Sequence, residues 1–314
     1  MARDESPGVP FAIPGAPAPT VGRHHVNGCR LYAEVRGAGP PLLIIGAASD
    51  DAEMFRPIAE RLAGLTGVAG FTVVTWDPRG TRRSTRAGWP CDSYTHADDA
   101  AALLQDLGLV PAAIFGASAG GIVAMRLAVR HPDLVRQVLV YEPGFFRSTD
   151  SGTALLARTT DAVRKHLRER TDDWAGALAV VARMAGRDPA ARPNSPDDTA
   201  GRGPLDAPPG LEWYTERGAA LAENFIRDDL PRTGETVDPA LLRATGSDIR
   251  FAFGTDSAPV FREIAETLTR ARQRTGADPH LPDAINAAAH LVYLTPDPIA
   301  RYIRARCLPE EEVD

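Results

Sequence analysis

The sequence predicts an α/β fold: a mostly parallel central sheet flanked by helices, with a helical lid insertion. Three observations point there. Short, largely apolar runs at 42–45, 71–76, 112–116 and 137–141 suit strands buried on both faces of a parallel sheet. Between the runs lie segments with helical features, so strand and helix alternate. The alternation stops after Pro143 and resumes at Ile249. The expected divisions are an arm over 1–21, a core over 22–143 and 247–314, and a mainly helical insertion over 144–246.

The arm is rich in Pro, Ala and Gly and reads as extended or disordered. His24 to Val35 reads as two short strands around Asn27-Gly28, a dipeptide suited to a type I′ hairpin turn. Leu42 to Ile45 is the first buried strand. Apolar residues at helical spacing follow over 52–65, then the β-branched strand 71–76. Helix 96–107, strand 112–116, helix 120–130 and strand 137–141 complete the first half, with His131-Pro132 ending the second helix. In the insertion, 153–185 reads as helical throughout, 186–211 as a Pro- and Gly-rich loop, and 211–225 as a helix. The second half of the core holds a strand from Ile249 and helices over 259–274 and 298–306.

Composition narrows the functional classes. A net charge of −6 gives no electrostatic reason to expect nucleic acid or an anionic membrane surface as a partner. No apolar run is long enough to span a membrane, and the first residues carry no signal-peptide pattern. Cys29, Cys91 and Cys307 are far apart and form no CxxC pair, so reduced thiols are expected rather than disulfides or a zinc site. A cytoplasmic setting and a small-molecule substrate are the corresponding expectations.

The chemistry centres on Gly116-Ala117-Ser118-Ala119-Gly120, where a strand runs directly into a helix. A serine hydroxyl is a weak nucleophile unless a base removes its proton. A sharp strand-to-helix turn lifts the hydroxyl clear of the sheet, where base and substrate can both reach it. Small flanking residues allow that turn, and the helix N-terminus favours developing negative charge.

These residues resemble the α/β-hydrolase superfamily. PPLLIIGAA (40–48) stands where that family has its first long buried strand and oxyanion loop, and TWDPRGTRRS (75–84) is similar to its strand followed by D-x-R-G-x-G-x-S. The resemblance covers most of 22–142 and 247–306. AAAHLVYLTPDPIARYI (287–303) resembles the family's terminal segment and so selects His290 as the base. It implies backbone oxyanion donors at Ala47 and Ala119, although Ile45-Gly46 stands where the family often has His-Gly. Chain order places the acid between serine and histidine. Asp256 fits that order but comes one residue earlier than the usual Gly-x-x-Asp; Glu142, ending the preceding strand, is the alternative.

The expectation is a serine hydrolase that cleaves an ester, thioester or lactone through an acyl-enzyme on Ser118, without metal or organic cofactor. Ser118 argues against epoxide hydrolases and haloalkane dehalogenases of the same superfamily, which use aspartate at this turn. Acyltransfer, lyase or cofactor-free peroxidase chemistry, and a catalytically inactive small-molecule receptor, are the alternatives. Two further features are open at this level. Asp77, Arg79, Arg82, Arg83 and Arg86 read as a solvated turn with local ion pairs. Phe145-Phe146 and Trp213-Tyr214 suit either an acyl pocket or the core of the insertion.

Overall fold

The computed structural model describes residues 13, 16, 18–64, 70–185, 217–273 and 281–308. Most of the expected arm, the 186–211 loop and Trp213-Tyr214 lie outside them. Eight strands in the described residues form one sheet: β1 (Thr20–Val26), β2 (Cys29–Arg36), β3 (Pro41–Ile45), β4 (Thr72–Asp77), β5 (Ala112–Ala117), β6 (Val135–Tyr141), β7 (Asp248–Gly254) and β8 (Asp283–Ile285). Their spatial order is β1-β2-β4-β3-β5-β6-β7-β8. The β1–β2 and β2–β4 pairs are antiparallel, and every later pair is parallel. The hairpin turns at Asn27 (φ 45°) and Gly28 (φ 68°), as its type I′ reading requires.

The flanking helices are α1 (Arg56–Leu62), α2 (Ser93–Asp106), α3 (Ala119–Arg130), α8 (Pro259–Arg272) and α9 (Pro296–Cys307). The apolar strands bury both faces, with alternate residues serving opposite sides. Leu43, Ile45, Ile114, Val138 and Val140 pack with residues of α2, α3 and α8. Leu42, Ile44, Phe115, Leu139 and Tyr141 pack on the other face with residues of α1 and α9. This two-sided core fixes where the strand ends, and hence the loops beyond them, stand in space.

Between β6 and β7 the described residues are mainly helical. They include α4 (Asp150–Glu169), α5 (Trp174–Ala185), a helical stretch over 222–232 (α6) and α7 (Pro239–Ala244). The run read as continuous over 153–185 breaks between α4 and α5, where Asp172 adopts φ 61° and Asp173 accepts from Gly176 N. The α6 stretch contains one π turn, Phe225–Asp229. That turn brings Asp228 and Asp229 to the core: Cys91 N donates to Asp228 Oδ1 at 2.9 Å and Ser49 N to Asp229 Oδ2 at 2.8 Å.

The arginine-rich turn after β4 differs from its sequence reading. Local ion pairs form, but their centre is buried. Arg83 makes two bonds to Asp77, from Nε at 2.7 Å and from Nη2 at 2.8 Å, and Arg79 holds Asp99 in the same two-pronged way at 2.8 and 2.7 Å. Asp77 and Asp99 are fully enclosed. A carboxylate at such a depth needs a partner that satisfies both oxygens, and the planar guanidinium supplies one.

Candidate active site

β5 runs through Gly116 and Ala117 into Ser118, which takes φ 49° and ψ −118° before α3 begins at Ala119. Positive φ is unfavourable for a residue with a Cβ, so neighbouring contacts must hold the turn. Ser118 N donates to Tyr141 O at 2.9 Å, and Gly121 N and Gly144 N both donate to Ser118 O at 3.0 Å. The motif glycines answer to close packing. A Cβ on Gly120 would lie 2.0 Å from Gly46 O, and one on Gly116 would lie 2.7 Å from Ala124 Cβ. Ser118 is 7% exposed.

β6 ends one strand over. Glu142 follows it with φ 47° and is wholly buried. Its Oε1 accepts from Gly254 N at 2.9 Å, and its Oε2 lies 2.6 Å from His290 Nδ1. An ionised carboxylate only accepts, so Nδ1 carries the proton and Nε2 keeps its lone pair. The imidazole stacks on Phe261 of α8, with ring centroids 4.1 Å apart and planes 13° from parallel. Tyr141 Oη donates to Ala289 O at 2.9 Å, tying the strand to the residue before His290. Burial and the nearby Glu142 charge push the Tyr141 hydroxyl pKa well up, so it remains a donor.

The expectation that Asp256 meets the histidine is corrected by this geometry. Asp256 is exposed in the turn after β7; its N donates to Ala288 O at 3.1 Å and its Oδ1 accepts from Thr255 Oγ1 at 3.2 Å. The one-residue shortening turns the side chain to solvent. Glu142, the alternative reading, makes the contact. Among the described residues no hydrogen bond joins Ser118 Oγ to His290.

Ala119 opens α3, where an N–H has no acceptor within the helix. The loop after β3 passes close behind it, as the Gly120–Gly46 approach shows. Ala47 N in that loop donates to Asp50 Oδ2 at 2.8 Å. Phe145, one of the aromatic pair singled out from sequence, is fully buried in the core, and Phe146 packs edge-on against Phe261 with centroids 5.9 Å apart.

Sequence reasoning did not foresee one cluster. Cys91 Sγ, His96 Nε2 and Asp228 Oδ2 lie within 4.8 Å of one another. These ligand types suit zinc, but their surroundings do not. Arg232 Nη2 is 2.7 Å from the same Asp228 oxygen, and His96 Nδ1 is buried with no acceptor for the proton it would carry in a metal complex. Burial lowers the His96 pKa and pushes the Cys91 thiol up to about 12, so both are neutral. The cluster acts as a polar joint between α6 and the core.

Comparison with known proteins agrees with this architecture. Residues 40–178 match the family model described as the alpha/beta hydrolase fold. The chain has the α/β-hydrolase fold. Its relatives include the uncharacterized hydrolase YraK of Bacillus subtilis, 37% identical over 125 residues, or 39% of this chain and 44% of that protein. A 2-(acetamidomethylene)succinate hydrolase of Mesorhizobium japonicum is 28% identical over 221 residues, 68% of this chain and 72% of that protein. The chain thus spans less than half of YraK's length. Solved structures include a thermophilic esterase from Thermogutta terrifontis (TM-score 0.66, 20% identity, 91% of this chain and 97% of that one). The enol-lactonase from Burkholderia xenovorans LB400 superposes with TM-score 0.61 at 17% identity, over 90% of this chain and 98% of that one. No described helix is long and apolar enough to cross a membrane.

Proposed function

We propose that the protein is a serine hydrolase that cleaves a carboxylic ester, thioester or lactone of a small molecule. The observation that carries this reading is the Glu142–His290 pair at the strand ends beside the strained serine turn. A buried carboxylate that fixes Nδ1–H leaves Nε2 basic, as proton abstraction from a serine requires. In the proposed reaction His290 Nε2 removes the Ser118 proton as Oγ attacks the carbonyl carbon. The backbone donor at Ala119 and a second donor in the loop after β3 stabilise the oxyanion. His290 then protonates the leaving group, and water attacks the acyl-enzyme with the same histidine as base. The Ser118–His290 contact closes when substrate is bound, as such contacts commonly do. The helical residues between β6 and β7 act as a lid over the site. The names of the relatives include hydrolases, which supports hydrolysis without choosing its substrate.

A fluorophosphonate probe tests the pair. The expected result is rapid adduct formation, mapped to the Ser118 peptide, that collapses in His290→Ala. A folded protein that is not labelled would refute an activated serine. Ester, thioester and lactone panels, with and without an added alcohol acceptor, then separate hydrolysis from acyl transfer.

A further inference from the structure

The loop donor that the sequence assigns to the oxyanion already has a partner. Ala47 N–H points to Asp50 Oδ2 at 2.8 Å, and Asp50 N donates back to Ala47 O at 3.3 Å. Gly46 makes this closure possible, because a Cβ there would lie 2.8 Å from Asp50 Cβ and 2.8 Å from Phe55 Cε2. Asp50 is 5% exposed and lines a small cavity together with Gly46, Ala47 and Gly120, the last residue of the serine turn. Among the described residues its carboxyl has no cationic partner and accepts only from Ala47.

The charged groups around it explain why. Asp51, next in the chain, takes the nearby cations: Arg217 Nε at 3.0 Å and Arg82 Nε at 3.3 Å. Asp229 faces Asp50 from α6, with one oxygen on Ser49 N and the other on Arg232 Nη1 at 2.9 Å. Asp228 and the neutral His96 line the same cavity, and Arg232 is held by both α6 aspartates. Asp50 is therefore a buried carboxyl between two other acids whose cations are engaged elsewhere.

We infer that Asp50 is a catalytic member of the oxyanion site, acting as a neutral carboxyl: one oxygen holds the Ala47 N–H, and the O–H of the other donates to the oxyanion. This inference rests on the serine-hydrolase reading. An ionised carboxylate at the same place would add negative charge beside the charge the site must stabilise, and would still occupy the loop donor. A neutral carboxyl supplies a second donor in place of the one it occupies. No bond is made or broken at Asp50; it keeps its proton through the cycle. Burial and the charges of Asp51 and Asp229 raise its pKa well above the usual carboxylate range, which favours the neutral form. Since the folded pKa is raised, the proton is lost only as pH climbs, and reactivity falls with it.

The test is the rate of Ser118 phosphonylation by a fluorophosphonate, followed from acid to alkaline pH. The phosphoryl oxygen of this probe enters the oxyanion site, so no natural substrate is needed. Wild type is expected to show a decline as pH climbs. In Asp50→Asn the amide oxygen can hold Ala47 N–H while its NH2 donates, and neither ionises. The decline should disappear, with the rate within about tenfold of wild type at neutral pH. Asp50→Ala frees the Ala47 N–H and removes the ionisable group, so its decline should disappear as well. An Asp50→Asn profile that keeps the wild-type decline would overturn the inference, as would a folded Asp50→Ala that keeps it. Thermal melts verify folding, and if Asp50→Ala does not fold the asparagine profile decides. A wild type that is never labelled instead refutes the underlying serine reading.

Discussion

Replacing Glu142 by Gln tests the carboxylate assignment most directly. The side chain is nearly isosteric, so the amide oxygen can still accept from Gly254 N, now at 2.9 Å. The amide nitrogen then faces His290 Nδ1, where Oε2 now stands 2.6 Å away. A donor there selects the opposite imidazole tautomer, with Nδ1 accepting and Nε2 protonated. Nε2 can no longer take the serine proton. The equivalent loss of tautomer control in a serine protease triad reduces kcat by roughly ten-thousand-fold with geometry intact. A loss of about a thousand- to ten-thousand-fold in kcat is expected here, with little change in KM, because Glu142 is wholly buried behind the histidine. The stability change is about 1–3 kcal/mol, the range for one altered bond to a charged group. Asp256→Asn is the matched control; its carboxylate is exposed and, among the described residues, bonds only to Thr255 Oγ1, so kcat should stay within about twofold. Steady-state kinetics on a p-nitrophenyl ester, beside thermal melts of both variants, reads the contrast. Near-full activity in a folded Glu142→Gln, or a large loss in Asp256→Asn, would refute the assignment.

Other expectations rest on separate contacts. Tyr141→Phe removes the hydroxyl that holds Ala289 O, leaving a part-buried carbonyl without that donor; a stability loss of about 1–2 kcal/mol and a several-fold drop in kcat are expected, read by melts and kinetics. Gly120→Ala forces a Cβ to 2.0 Å from Gly46 O, so the backbone must move; soluble yield and melting temperature should fall sharply, and an unchanged melt would contradict the close approach. Arg79→Met leaves the enclosed Asp99 carboxylate without its guanidinium, a loss of about 3–5 kcal/mol that denaturant unfolding measures; a solvated turn would lose under about 1 kcal/mol.

The parts of the fold legible in sequence are those where one physical demand acts on consecutive residues. Pro41–Ile45, Thr72–Asp77, Ala112–Ala117 and Asp248–Gly254 all lie within one residue or two of their sequence readings, because the covered faces of these strands need apolar side chains. β8 escaped notice: Asp283–Ile285 has three residues and one buried side chain, too little to form a pattern. The helix expected over 52–65 is shorter, at Arg56–Leu62, because Pro57 favours the first helical turn and Asp51 caps the preceding turn through Glu53 N and Met54 N. The serine turn was legible because its glycines and its strand and helix are contiguous. The Glu142–His290 pair was not, since 148 positions separate its members and only the sheet order joins them. Chain order favoured Asp256, while the side-chain direction was set by a turn one residue too short.

Sheet register explains why Glu142 can take that place. β5 and β6 pair in parallel, with Ala117 opposite Tyr141. Ser118 and Glu142 are each the next residue, and both adopt positive φ as their strands end. Ser118 N bonds to Tyr141 O, so the two turns are joined through the last residue of β6. On the other side Glu142 N donates to Ala252 O of β7, and its carboxylate accepts from Gly254 N. The same strand end therefore fixes the serine backbone, the carboxylate backbone and, through Tyr141 Oη, the segment that carries His290. A carboxylate after β7 would anchor to a strand one place farther from the serine. At Glu142 it is bound directly to the strand beside the serine's, and a shift of β6 along its axis would displace all three groups together.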